Sequence, residues 1–169
     1  MTGVPRLETA RLLLREFRPA DLDAYAAMVA DPEVMRFLAD GRPLSRVEAW
    51  RQMAMFAGHW ALRGFGVWAV EERATGAFVG RIGCFEPEGW PAFEVAYTLA
   101  RPAWGRGYAR EGAAAALRHA REVLRRDPVY SVIRPENARS IAVARSLGAE
   151  RERTVEFFGG VADLYRYPR

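Results

Sequence analysis

The sequence contains no lysine, one cysteine and two histidines. Without lysine, the chain cannot form a Schiff base or complete a phosphate loop that ends in Gly-Lys-Ser/Thr. Cys84 has no second cysteine for an intramolecular disulfide, and with His59 and His119 it falls short of a Cys/His zinc set. No Gly-x-Ser-x-Gly segment is present, which excludes hydrolases with that nucleophile elbow. We therefore expect no metal site.

A long uninterrupted hydrophobic run is also missing. The segment "MTGVPRLETARLLLREF" interrupts its apolar stretch with arginines, unlike a secretory signal or a membrane span. The length of 169 residues is typical of one domain, and a content of 50% hydrophobic and 27% charged residues is typical of globular proteins. These features predict a single cytoplasmic domain over residues 1–169, with no membrane partner.

All 25 cationic side chains are arginines. The net charge is +4, and the pI is near 9.7. The arginines alternate with 21 acidic residues and never form a basic run of five. No zinc-finger or RNA-binding aromatic signature is present. We expect no nucleic-acid partner, whereas a small anionic ligand fits the charge.

Hydrophobic periodicity and boundary residues predict alternating strands and helices along the whole chain. Ser45 and Glu48 form the Ser-x-x-Glu pattern of a capping box, and Gly64 is placed to end the same helix. The result is a single α/β domain. The predicted strands cover residues 11–15, 66–70, 77–85, 93–99, 129–133, 151–158 and 162–167, and the predicted helices cover 21–30, 33–38, 46–63, a segment ending near 124, and 138–147.

The stretch "WGRGYAREGAAAAL" places two glycines and two arginines at the start of a helix. A helix N-terminus leaves N–H groups unpaired and favours phosphate, and glycine lets the backbone approach the phosphate oxygens. Arg106 and Arg110 add planar cationic groups suited to phosphate. A dinucleotide fingerprint would require a third glycine at position 110. A tight turn that uses Gly105 and Gly107 for geometry alone is the remaining alternative.

Two polar side chains stand at the start of the next predicted helix. Asn137 is the only asparagine and is a favourable N-cap for that helix. Ser140, three residues later, is either a solvated hydroxyl or a functional group.

Three segments in this order resemble the GNAT superfamily of acetyl-coenzyme A-dependent N-acetyltransferases, and in particular the branch that acetylates N-terminal alanines of ribosomal proteins. They are "GFGVWAV…GAFVGRIG", "EVAYTLARPAWGRGYAREGAAAAL" and "RPENARSIAVARSLGA". The resemblance covers nearly the whole chain. It implies a mixed, mostly antiparallel central sheet of about seven strands flanked by about four helices, with a splayed central strand pair.

The resemblance also implies acetyl-coenzyme A as cosubstrate, with no metal, and a set of binding residues. Trp104 stands where other GNAT members carry Gln or Arg, so a polar contact made there is not implied here. The small residues after Glu111 let the helix approach the sheet, and Glu111 itself is expected to interact with its own helix N-terminus. The implied cofactor-binding residues are Tyr97, Thr98, Leu99, Trp104, Gly105, Arg106, Gly107, Tyr108, Ala109, Arg110, Asn137 and Ser140.

The implied reaction is direct attack of an amine on the thioester in a ternary complex, which requires a base and an acid. Glu94 and Glu156 are the two candidate bases; each is alternatively an ordinary exposed strand acid, and we favour Glu94. Ser140 is the candidate acid and an ordered water the alternative, because the tyrosine of other members is Ala144 here. A backbone N–H at the end of the "YTL" strand, which is bulged in the family, would hold the oxyanion.

Several alternatives stay open at this point. The acceptor amine is a protein N-terminus or a small molecule, and the protein is a monomer or a homodimer. A different class of function is a non-catalytic acyl-coenzyme A-binding protein of the same fold. His59 is interpreted as a surface or core histidine, and Cys84 as a small core residue.

Overall fold

A computed structural model describes residues 3–169 of the chain. It contains eight β-strands, five α-helices and two short 3-10 turns at Pro19–Asp21 and Arg101–Ala103. The strands are β1 (Leu7–Glu8), β2 (Leu12–Arg15), β3 (Val67–Glu72), β4 (Phe78–Phe85), β5 (Glu94–Leu99), β6 (Tyr130–Ile133), β7 (Glu150–Phe157) and β8 (Gly160–Arg166). The helices are α1 (Leu22–Val29), α2 (Pro32–Met35), α3 (Arg46–Arg63), α4 (Tyr108–Glu122) and α5 (Ala138–Ser146).

The strands form one sheet in the order β1-β2-β3-β4-β5-β6-β8-β7. All neighbouring strands are antiparallel except β5 and β6, which are parallel and pair only between Glu94 and Tyr130. The two strands therefore diverge beyond this pair. The predicted mixed, mostly antiparallel sheet with a splayed central pair is confirmed, and the structure adds one strand, β1, to the seven predicted.

Helices cover both faces of the sheet, and each face has its own core. On one face, α4 packs on β2, β4 and β5, with Ile82, Val95 and Ala116 completely buried. A Cβ atom at Gly112 would lie 2.3 Å from Cδ1 of Ile82, so a larger residue there would require the Ile82 side chain to shift. On the other face, α1, α2 and α3 enclose the second core around Tyr25 and Phe56.

Local capping residues define the helix boundaries. The Ser45 hydroxyl accepts from the N–H of Glu48 while the Glu48 carboxylate accepts from the N–H of Ser45, which is the predicted capping box. Gly64 ends α3 with φ of 74°, a left-handed conformation that glycine adopts readily. The side chain of Asn137 caps α5, as predicted. Such caps each contribute about 1 kcal/mol.

One expectation about local structure, a bulge in β5, is wrong. Glu111 lies in the first turn of α4, where the helix dipole favours an acid, and its carboxylate also accepts from the Thr9 hydroxyl at 2.6 Å and from the Arg11 N–H at 2.8 Å. It therefore ties the β1–β2 turn to α4. No bulge interrupts the pairing of β5 with β4 from Glu94 to Leu99, and the register shift in this region lies between Val70 and Glu71 of β3.

The two single-residue interpretations are confirmed. His59 is a buried core histidine that accepts from the N–H of Glu86 through Nε2 at 3.2 Å and contacts the Phe65 carbonyl through Nδ1 at 2.7 Å. Cys84 is completely buried, and this burial raises the pKa of its thiol to about 12. Within residues 3–169, no helix is long and apolar enough to cross a membrane.

Candidate active site

A cavity of about 220 Å³ opens where β5 and β6 diverge. Its floor is formed by β5 and β6, and its walls come from α3, β4, the loop before β5 and the β7–β8 turn. Five of the residues predicted from sequence to act at a site lie together in its lining. They are Glu94, Tyr97, Thr98, Asn137 and Ser140.

Glu94 is the buried carboxylate of this cavity, with 5% of its surface exposed. Oε1 accepts from the indole N–H of Trp90 at 2.9 Å, and Oε2 accepts from the backbone N–H of Val132 at 3.0 Å. Burial raises the pKa of Glu94 to about 7, although both hydrogen bonds and the positive charge of Arg81 oppose this shift. A carboxyl group with this pKa can accept and release a proton at neutral pH.

The alternation of β5 places its side chains on two faces. Ala96 belongs to the core beneath α1, α2 and α3, whereas Tyr97 packs toward α4. Because side chains alternate along a strand, Glu94 and Thr98 share the face of Ala96, as the sequence predicted. Tyr97 donates its hydroxyl hydrogen to the carbonyl oxygen of Ser140 at 2.9 Å and so holds α5 against β5.

The first turn of α5 presents two polar residues to the cavity. Oδ1 of Asn137 accepts from the N–H of Ser140 at 3.2 Å, which is the N-cap interaction. Ser140 lines the cavity, and its hydroxyl makes no hydrogen bond to any other group of residues 3–169. It is therefore free to interact with a ligand.

The turn before α4 has the backbone that the sequence predicted. Gly105 and Gly107 have φ values of 72° and 78°, in the left-handed region that favours glycine. None of the backbone N–H groups from Gly105 to Arg110 has an acceptor within residues 3–169. A helix of 15 residues follows, so its positive dipole end adds to these donors. The turn can bind an anion.

Aromatic and ionic contacts hold this turn in place. Trp104 donates its indole N–H to the Leu99 carbonyl at 2.8 Å, and the Arg139 guanidinium lies 4.3 Å above its ring. The Arg106 side chain pairs with Glu72, which also accepts from the Tyr108 hydroxyl. Arg106 is thus held at Glu72 and contributes its backbone N–H to the turn, whereas we expected its side chain to face phosphate.

The remaining predicted residues lie outside the cavity lining. Arg110 is exposed, Ala109 is half-buried, and the Gly105–Arg110 turn lies beyond the lining of the cavity. Glu156 is exposed on β7, paired with Val161 across the hairpin, and does not line the cavity. Its neighbours Phe157 and Phe158 do. The geometry therefore separates the two candidate bases.

Three of the cavity residues that sequence reasoning missed act on Glu94. Trp90 and Val132 contact Glu94 from a loop and from a neighbouring strand, and only the folded chain brings them there. Arg81 had a signal, because it is the only charged residue of the strand "FVGRIGCF". No group of three His, Cys, Asp or Glu residues capable of holding a metal ion occurs in the described part of the chain.

The family comparison covers most of the chain. A family model described as the acetyltransferase (GNAT) domain matches residues 11–150. A relative from Bacillus subtilis strain 168, the uncharacterized protein YkkB, is 30% identical in an alignment of length 163 that covers 92% of this chain and 91% of the relative.

Solved structures show the same fold. An acetyltransferase from Agrobacterium tumefaciens str. C58 has a TM-score of 0.87 at 29% identity and covers 100% of this chain and 97% of its own. RimL, a ribosomal-protein alpha-N acetyltransferase in complex with coenzyme A, has a TM-score of 0.77 at 18% identity, with 96% of each chain covered. The likeness to RimL shows the fold alone. From the family match and these relatives, the chain belongs to the GNAT acetyltransferases.

Proposed function

We propose that the protein transfers an acetyl group from acetyl-coenzyme A to a primary amine by direct attack in a ternary complex. The observation that supports this most is Glu94, a buried carboxyl group with a pKa of about 7 at the floor of the cavity. An amine is protonated at neutral pH and must lose a proton before it can attack a carbonyl carbon. A carboxylate placed for this task contributes typically 10²–10⁴-fold to the rate.

The residues before α4 fit the phosphates of coenzyme A. Six consecutive N–H groups without acceptors, two left-handed glycines and a helix N-terminus together form an anion site. Gly105 and Gly107 have no side chain to block phosphate oxygens. Arg110, in the first turn of α4, is exposed. When bound, acetyl-coenzyme A supplies the thioester carbonyl that accepts the amine.

The divergence of β5 and β6 offers room for the rest of the cosubstrate. Because β6 pairs with β5 only at Glu94, the backbone of Tyr97 to Leu99 has no strand partner on that side. Its free N–H groups are our candidates for stabilising the oxyanion of the tetrahedral intermediate. Asn137 lines the same opening and is our candidate for a contact to the pantetheine arm.

Two side chains would move the protons of the reaction. Glu94 takes a proton from the ammonium group of the acceptor, directly or through water, and its environment lets the ionised form exist near pH 7. The free hydroxyl of Ser140 is our candidate for donating a proton to the leaving sulfur, with water as the alternative. Glu156 is exposed and outside the cavity, so we assign it no proton transfer.

The acceptor can be a protein N-terminus or a small amine. The decisive experiment is a panel of primary amines and short peptides, followed by release of free coenzyme A from acetyl-coenzyme A. We expect at least one acceptor to give turnover that depends on Glu94. Binding of coenzyme A without turnover on any acceptor would instead support a non-catalytic binding protein.

A further inference from the structure

Arg81 lies in the middle of β4 and lines the cavity. It pairs in register with Thr98, and Phe85, further along β4, pairs with Glu94. Because paired residues of antiparallel strands point to the same face, Arg81 and Glu94 extend from the same face of the sheet. The guanidinium carbon lies 5.1 Å from the centre of the Phe56 ring.

The Arg81 guanidinium lies beside the Tyr25 hydroxyl, and one of its nitrogens, Nε, has no hydrogen-bond partner in the described chain. Nε is buried and has no acceptor among residues 3–169, and no carboxylate of the described chain forms an ion pair with this side chain. A buried polar group without a partner is costly, and a partly buried charge more so. Native proteins keep few such groups, and each calls for an explanation.

Two other inward-facing arginines form ion pairs or hydrogen bonds within the protein. Arg15 pairs with Asp21 and Glu71, each at 2.8 Å or closer. Arg134, which also lines the cavity, donates to the carbonyl oxygens of Ala39 at 2.8 Å and Val161 at 3.0 Å. These contacts satisfy both side chains, whereas Nε of Arg81 has no acceptor within residues 3–169.

The positive and negative groups of the cavity are separate. The backbones of Arg81 and Glu94 lie in register rows four residues apart, roughly 13 Å along the strands at about 3.3 Å per residue, and the Arg81 charge still lowers the pKa of Glu94. They form no ion pair with each other. Aromatic side chains line the cavity with them, among them Phe56, Phe85 and Trp90. The cavity thus combines a carboxylate, an apolar wall and a cation.

We infer that Arg81 binds a carboxylate carried by the amine acceptor, so that the acceptor is an amino acid with several bonds between its amine and its carboxylate. The inference rests on the proposed function, because the carboxylate of the acceptor reaches Arg81 only if its amine is bound at Glu94. A charge-assisted pair with two N–H donors is the arrangement that guanidinium groups make with carboxylates. The apolar wall fits a hydrophobic or aromatic body between the two charges.

The test uses three acceptors that differ only at one end: 4-(aminomethyl)benzoate, 4-(aminomethyl)benzamide and benzylamine. We expect the wild-type protein to prefer the benzoate over the benzamide by about tenfold or more in kcat/KM, a typical discrimination for a hydrogen bond to a charged group. Arg81→Gln should abolish this preference. Arg51→Gln removes an arginine that is exposed on α3 and outside the cavity, and it should keep the preference.

A binding measurement separates this inference from the proposed function. In the presence of coenzyme A, the benzoate should raise the Tm of the wild-type protein more than the benzamide does, and Arg81→Gln should remove the difference. If this binding preference exists but no acceptor is acetylated, the proposed function fails and the carboxylate site stands. If wild-type protein binds and acetylates the benzamide as well as the benzoate, or if Arg81→Gln keeps the preference, the inference is overturned.

Discussion

Trp90 donates its indole N–H to Oε1 of Glu94 over 2.9 Å, from the loop that precedes β5. This bond favours the ionised carboxylate, as does the N–H of Val132 on the other oxygen, whereas burial favours the neutral acid. The balance leaves the pKa of Glu94 near 7, so that both protonation states are accessible at neutral pH. Two predictions depend on this balance.

Glu94→Gln should lower kcat/KM by about 10²-fold or more on an acceptor for which chemistry limits the rate, because the amide keeps the shape and removes the basicity. In the wild-type protein, activity should rise with pH through about 7 as Glu94 ionises. Glu156→Gln is the matched control and should have a small effect, because Glu156 is exposed and outside the cavity. A large loss of kcat/KM in Glu156→Gln, with a near-normal kcat/KM in Glu94→Gln, would assign the base to Glu156.

The same pKa predicts how stability depends on pH. The pKa of Glu94 rises from an ordinary value of 4.5 to about 7 on folding, so the folded state holds the proton more tightly. Its contribution to stability is fully present below pH 4.5 and is lost as the pH rises through 7. As the pH rises from 5 to 8, the free energy of unfolding should fall less for Glu94→Gln than for the wild-type protein, by roughly 2 to 3 kcal/mol. Urea unfolding of both proteins at the two pH values measures this difference, and parallel pH profiles would contradict it.

Gly105→Asp tests the anion site at the start of α4. A Cβ atom at Gly105 meets nothing within 4 Å, so the substitution places a negative charge there without a steric clash. Gly105→Asn has the same size and tolerates the left-handed conformation equally well, which makes it the matched control. We expect coenzyme A to raise the Tm of wild type and of Gly105→Asn, but not of Gly105→Asp. Equal Tm shifts in all three proteins would place the phosphates elsewhere.

Ser140→Ala tests the candidate acid. If the hydroxyl protonates the leaving sulfur, kcat should fall while the affinity for acetyl-coenzyme A stays nearly constant. Ser146→Ala, at the exposed end of the same helix, should leave kcat unchanged. An unchanged kcat in Ser140→Ala, with chemistry limiting, would assign the proton to water.

Asn137→Ala should have a different effect from Ser140→Ala. Its Oδ1 caps α5 by accepting from the N–H of Ser140, so the alanine variant should lose about 1 kcal/mol of stability. If Asn137 also contacts the cosubstrate, the Kd for coenzyme A should rise. Calorimetric titration alongside chemical unfolding separates the two effects. A stability loss with an unchanged Kd would reduce Asn137 to a capping residue.

Features governed by local interactions were predictable from sequence. The capping box of Ser45 and Glu48 and the cap at Asn137 each involve residues three apart, and both are present in the structure. Glu94 shares its face of β5 with Ala96 and Thr98, as strand geometry requires. Gly105 and Gly107 predicted a tight turn with left-handed backbone conformation, and the structure has both residues in that conformation.

Features that depend on distant partners were not predictable. The two-residue strand β1 exists through pairing with β2, and Leu7 faces Leu14 there. Glu111 also accepts from the Thr9 hydroxyl, which is 102 residues away. The exposure of Glu156 follows from the register of the β7–β8 hairpin, in which it pairs with Val161. No local pattern carries these relationships.

The hydrogen bond from the N–H of Val132 to Glu94 joins β6 to β5 at the point where these two strands diverge. Beyond the Glu94–Tyr130 pair, a side-chain carboxylate replaces the carbonyl acceptor that a continuous ladder would offer to this N–H. The rate of hydrogen exchange at the Val132 amide therefore depends on its bond to Glu94 as well as on local opening of β6. We expect Glu94→Ala to accelerate this exchange, whereas Glu94→Gln can retain an oxygen there and keep the amide protected. A single backbone proton thus becomes a probe of the candidate base in the resting protein, before any acceptor is known.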